Sequence, residues 1–299
     1  MFKRSLHVLF IAGLTFITAG ILLSAGVISL AQEGEPPNPD DAIGEPPTFL
    51  TDYYEAWVNS PHARFEDDAF RHWDEDGEIS ESCATCHSTP GYLDYLGADG
   101  STVNVVDAPA PLGTVVNCNA CHNSATDELT TITFPSGAEI GELEDSSRCM
   151  VCHQGRSSGE TVNAAIEEAG LVDSPNTVNE ELGFINIHYY AAAASIYGTE
   201  VNGGYEYEGQ TYQRRYEHVE GYATCAGCHD PHTLELDVTE CSTCHEGVET
   251  IEDLRTIRSF GSSVDFDGDG DMEEGIAGEI STMQEMLYNA IQIYASEVV

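Results

Sequence analysis

Ten cysteines and eleven histidines carry most of the chemistry open to this chain of 299 residues. All ten cysteines fall in five Cys-x-x-Cys-His units: Cys83, Cys86 and His87; Cys118, Cys121 and His122; Cys149, Cys152 and His153; Cys225, Cys228 and His229; Cys241, Cys244 and His245. Two thiols three residues apart with a histidine next to the second is the spacing of covalent c-type haem attachment. Each thiol pair bonds the two vinyl groups of one haem, and the histidine reaches the iron from one face. Structural zinc would combine Cys pairs two by two and would not require a histidine after each pair. A disulfide framework would not require it either. The predicted cofactor is five haem c.

Haem iron takes two axial ligands, and each unit supplies one. Setting aside the five motif histidines and His7 near the N-terminus leaves His62, His72, His188, His218 and His232. Five remaining histidines for five irons predicts bis-histidine ligation throughout, with these five as distal ligands. His232 is too near His229 in sequence to cross to the other face of the same haem, so it is expected to reach a neighbouring one. Bis-histidine ligation has no thioether to raise the potential, so low-potential haems are expected.

The elements that must position these groups are short. Residues 1–31 open with Lys3 and Arg4, run apolar from Leu6 to Leu30 and end at Ser29-Leu30-Ala31, which reads as a secretory signal or an uncleaved anchor. Residues 32–48 read as a Pro-rich, acidic linker. The pentahaem domain is expected over 49–260. About 54 residues per haem are too few for an ordinary core, so haem rings must supply much of the buried apolar surface. The predicted fold is mainly α with extensive loops and a few short hairpins, haem-stacked with little regular secondary structure. Helices are expected around Thr51 to Asn59, around Phe70 to Trp73 and over Gly183 to Tyr197. Hairpins are expected at Leu129 to Leu143 and Tyr205 to Tyr212.

Residues 261–299 differ in kind. Asp265, Asp267, Asp269 and Asp271 match the first half of a calcium loop, although Ile276 stands where such a loop places its bidentate Glu. These aspartates are candidate calcium ligands or a solvated turn. Ile276, Ile280, Met283, Leu287, Ile291 and Tyr294 then recur at helical steps, predicting an amphipathic helix packed on the haem core.

The sequence contains 52 acidic against 10 basic residues. After residue 31 there are eight arginines and no lysine, for a formal charge of −44. Such a field excludes nucleic acid and anionic lipid surfaces as electrostatic partners. It suits basic redox partner proteins, divalent cations or simple solubility. Membrane association is expected only if the N-terminal segment is uncleaved. Arg148, Arg156, Arg214 and Arg215 are candidate partners for haem propionates.

Three further stretches, Trp57 to Ala63, Ile185 to Tyr189 and Cys225 to His232, resemble distal-ligand segments of the multihaem cytochromes c. The resemblance is to the superfamily containing cytochrome c554, the pentahaem nitrite reductases and hydroxylamine oxidoreductase. A similar style of haem pairing is shared by extracellular cytochromes that polymerise into filaments. In the nitrite reductases, a lysine replaces the motif histidine at the catalytic haem. Every unit here ends in His and no lysine follows residue 31, which departs from that enzyme pattern. The expectation is therefore an exported, periplasmic or extracellular electron carrier rather than an enzyme. A filament subunit and a nitrite- or hydroxylamine-type reductase are the alternatives.

Overall fold

The computed structural model describes residues 47–299 apart from Pro175, Glu217, Ser259, Phe260 and Val299. The leader at 1–31 and nearly all of the linker at 32–48 lie outside the described residues. The chain is mainly helical, with two short antiparallel strand pairs and extensive loops. β1 (Glu78–Ile79) pairs with β2 (Ala110–Pro111), and β3 (Ile132–Thr133) pairs with β4 (Glu139–Ile140). The second pair is the expected hairpin. Its turn falls at Pro135-Ser136-Gly137, and Gly137 takes the positive φ that such a turn requires.

A 3-10 turn over Thr48–Tyr53 leads into the helix Tyr54–Val58, which buries Trp57. The Trp57 indole donates to Val116 O at 3.0 Å and joins Ala63, Phe65, Phe70 and Val115 in one apolar cluster. The backbone bond from Val116 N to His62 O pins the segment carrying His62 against the same cluster. A second cluster holds Ile79, Ala84 and Ala110 beneath the first haem unit. The largest cluster gathers Tyr92, Ile132, Phe134, Ile140, Met150, Val151, Tyr197 and Val201, with Cys152 and Cys225 packed on its edge.

Two of the haem units sit on helices with defined boundaries. Glu81–His87 is followed by Thr89–Tyr95, whose N-terminus is capped by Ser88 Oγ accepting from Gly91 N at 3.0 Å. At Gly91 a Cβ would stand 2.4 Å from Ala84 O, so only glycine lets these helices cross. The third unit ends the helix Ser146–His153. Shortly after it, Ser158 and Thr161 form a reciprocal capping box that starts Gly159–Glu168.

Three expectations need correction. The segment Gly183 to Tyr197 is helical only over Ala192–Tyr197. Ahead of it, His188 and Tyr190 take positive φ and break the helix. The stretch Tyr205 to Tyr212 turns around Gly209 but forms no strand ladder, because its aromatic side chains stay exposed and bury no face. The C-terminal helix exists, over Ile276–Glu297. It is not packed on the core: Ile280, Met283, Leu287, Ile291 and Tyr294 are exposed, and Glu279 is its one buried residue among those described. Its periodicity marks an apolar face without determining what covers that face. No helix among the described residues is long and apolar enough to cross a membrane.

Candidate functional site

Each Cys-x-x-Cys-His unit closes one helical turn. In the second, fourth and fifth, the histidine N–H donates to the first cysteine's carbonyl (His122 to Cys118, His229 to Cys225, His245 to Cys241), each at 2.9 Å. The first and third units lie within longer helices. One turn puts residues i, i+3 and i+4 on the same face, so both thiols and the imidazole of each unit face one site. None of the ten cysteines is in a disulfide.

The motif histidines are oriented by the backbone. His87 Nδ1 lies 2.8 Å from Ala69 O, His153 Nδ1 3.0 Å from Tyr190 O, and His229 Nδ1 2.9 Å from Leu234 O. A carbonyl on Nδ1 fixes the tautomer and leaves Nε2 free to ligate a metal. No local pattern signals these acceptors, which lie 5 to 37 residues away along the chain.

The remaining histidines come to meet them. Ring centroids of His62 and His153 stand 6.4 Å apart, His87 and His188 5.8 Å, His122 and His232 6.1 Å, and His218 and His245 6.2 Å. A metal–nitrogen bond of about 2 Å on either side, with about 1 Å more to each ring centre, separates two axial imidazoles by about 6 Å. Each of the four pairs joins one motif histidine to one distal candidate, so the residues fit an iron between them. His72 and His229 are not brought together. The His72 side chain is 64% exposed, with Asp68 at 3.8 Å and the Trp73 ring at 5.0 Å, and among the described residues no second histidine ring stands against His229.

Burial reinforces the paired arrangement. It lowers the His62 pKa to about 4, with neighbouring His153 adding to the effect. Burial likewise lowers those of His87, His122 and His188. The neutral imidazole is the form that coordinates metal, so these histidines are held ready. His188 reaches its position through a left-handed backbone, with its N–H bonded to Asn186 Oδ1 at 2.9 Å. Just beyond the third unit, Gly155 has φ +86°, and a Cβ there would lie 2.8 Å from Ile187 O. Glycine at this point lets the His188 loop come close. Tyr53 stacks on His232 at 4.5 Å, a contact between residues too distant in sequence to be read there.

Of the propionate candidates, Arg148 is engaged by the protein, with Asp145 at 2.9 Å and Cys121 O at 2.9 Å. Arg156 lies near His87 and His188, and Arg215 sits over the Tyr197 ring at 4.7 Å. The carbonyl of Arg214 accepts from Glu200 N.

The acidic loop converges differently from its sequence pattern. One ligand atom each of Asp265, Asp267 and Glu279 lie within 4.8 Å of one another, as do those of Asp267, Asp269 and Glu274. Asp271 belongs to neither group, and its Oδ1 accepts from Glu273 N and Glu274 N. Glu279 is fully buried, and its Oε2 accepts from Phe266 N and Asp267 N at 2.7 and 3.0 Å. Arg258 meets its other oxygen at 2.6 Å. Counting loop positions from Asp265 stops at Ile276 and misses Glu279, which the first turn of the helix returns to the loop.

No family model matches the chain and no solved structure matches it. It is similar to the C-type polyheme cytochrome OmcB of Geobacter sulfurreducens, 27% identical over 256 residues covering 64% of this chain and 33% of that protein. It is also similar to the C-type polyheme cytochrome OmcC of the same organism, 26% identical over 236 residues, 58% of this chain and 29% of that one. The chain thus spans about a third of the length of these relatives. The similarity supports a multihaem c-type cytochrome with covalently attached haem.

Proposed function

We propose that this chain is an exported pentahaem cytochrome c that carries electrons and is not itself an enzyme. The observation that supports this reading best is the set of four histidine pairs at 5.8–6.4 Å, each joining a haem-attachment unit to a histidine elsewhere in the chain. Haem supplies the one-electron couple. The protein fixes the axial ligands and sets potentials through burial, hydrogen bonding and charge. Four irons closed on both faces leave no position for a substrate at those four sites. The acidic surface would lower potentials by favouring the more positive ferric state. In this reading residues 1–31 direct export, and partners are redox proteins met through their basic surfaces. The loop around Asp265, Asp267, Asp269 and Asp271 is a candidate calcium site, without a part in electron transfer.

A pyridine haemochrome assay with carbon monoxide titration tests the reading. Five haems are expected, with carbon monoxide taken up by at most one iron of the reduced protein. Binding at two or more irons, or rapid turnover of nitrite or hydroxylamine, would overturn it.

The unpaired His72 and His229 favour one elaboration. His72 is exposed, and among the described residues His229 meets no second histidine. His72 of one copy supplying the iron held by His229 of the next would build a filament. Electron microscopy of the native protein decides this. Uniform filaments in which the iron held by His229 no longer binds carbon monoxide are the expected result, and monomers at every concentration would exclude it.

A further inference from the structure

We propose that the third attachment site, on the helix Ser146–His153, is a junction adjoined by the first, second and fourth sites, so that the haem array branches there. The inference rests on the reading above that the five units carry haem. Sequence order suggests a line, in which each site adjoins the one before and the one after. The contacts show another arrangement.

Toward the first unit, Cys152 Sγ lies 3.7 Å from Thr85 O, between the two cysteines of that unit, and the Cys86 and Cys152 side chains interact directly. Toward the second, Arg148 Nη1 donates to Cys121 O at 2.9 Å. Toward the fourth, Cys225 N donates to Ser146 Oγ at 3.0 Å, and the Cys149 and Cys225 side chains interact directly. One eight-residue helix thus touches three other attachment segments along its length. Ser146 is buried, Met150 and Val151 root the helix in the largest apolar cluster, and Cys152 and Cys225 pack on the edge of that cluster. A helix seated in the core cannot shift away from one neighbour without disturbing the others. The fifth unit lies apart from this group, joined to the fourth by Asp237 N donating to Cys228 O.

The four groups around the junction also share ligands across the chain. His62, from the N-terminal segment, meets His153 of the junction itself. Tyr190 O, two residues beyond His188, holds His153 Nδ1, so the loop that serves the first site also orients the third. The first and third sites are therefore tied on both sides.

The test uses the intact holoprotein. In the fully reduced state with carbon monoxide bound at the iron held by His229, which makes all five haems diamagnetic, proton NMR should give inter-haem methyl contacts from the third haem to three others, and to the fifth none. Two or fewer such contacts would overturn the junction. A redox titration of H62M supplies an independent readout, because a thioether ligand raises the potential of that haem. It is then reduced first, and its lost positive charge should lower the midpoints of three of the remaining four haems. Movement of two or fewer overturns the proposal. Covalent haem content of the same sample separates the failures. Five haems with too few contacts sink the junction alone, whereas missing haem sinks the underlying reading and the junction with it.

Discussion

The stretch from Leu50 to Val201 and the stretch that follows it solve the same problem differently. Among the described residues, 22 of the 23 buried hydrophobic side chains fall in the first stretch, and only Val248 falls in the second. The first stretch carries three attachment units on helices rooted in three apolar clusters. The second carries two units on single turns with almost no buried side chain around them. Marginal folding free energy requires apolar burial from somewhere. In the first stretch side chains provide it together with haem, and in the second the haem itself must provide nearly all of it. On the proposed reading, cofactor attachment is accordingly a matter of ligation before residue 201 and of folding after it.

The sharpest way to break this contrast is to remove the fifth haem by replacing both Cys241 and Cys244 with Ala. Amide protection should fall at least about 100-fold over the segment around Cys225 to Thr256 and stay unchanged from Ile79 to Val201. Hydrogen exchange with mass spectrometry reads both regions at once, and equal loss in the two would erase the distinction. Next in size is H188A, which should keep five haems but convert one of them to high spin. Electron paramagnetic resonance would show a new high-spin signal, and an unaltered spectrum would remove His188 from the ligands. Ile79, fully buried beneath the first unit, should cost about 2–5 kcal/mol when cut to Ala, measured by chemical denaturation of the holoprotein. Leu287→Ala, on the exposed face of the terminal helix, should change stability by less than about 0.5 kcal/mol. A comparable loss at both positions would mean that the terminal helix is covered in solution. G155A lies between these extremes. Positive φ and the close Ile187 carbonyl predict a loss of about 1 kcal/mol or more, with the low-spin signal of the first haem broadened as the His188 loop is displaced.

The parts of the molecule legible in the sequence are those set by local spacing. The five attachment turns, the hairpin around Pro135 and the existence of the terminal helix all follow from patterns a few residues long. Long-range geometry was not legible. Counting histidines gave five candidates, but their spacing holds nothing that assigns His62 to His153 or leaves His72 on the surface. The alternation of Tyr205 to Tyr212 suggested strands, yet a strand pair needs a face to bury and this one finds none. Glu279 is invisible to the loop pattern because its approach to Asp265 depends on where a helix begins, which no loop count reports.

The left-handed turn at His188 belongs to a wider pattern with a consequence in time. His62 with His153, His87 with His188 and His122 with His232 each close a loop of roughly 90 to 110 residues, a span whose closure entropy is paid late in folding. A chain emerging N-terminus first would present the first two attachment units long before their second ligands exist. Newly attached haems would pass through a five-coordinate, reactive stage, and the array would fall silent toward small ligands only as its last quarter arrives. Truncation after Val201 removes His232 and should therefore freeze that stage at the second site, leaving a reactive iron there.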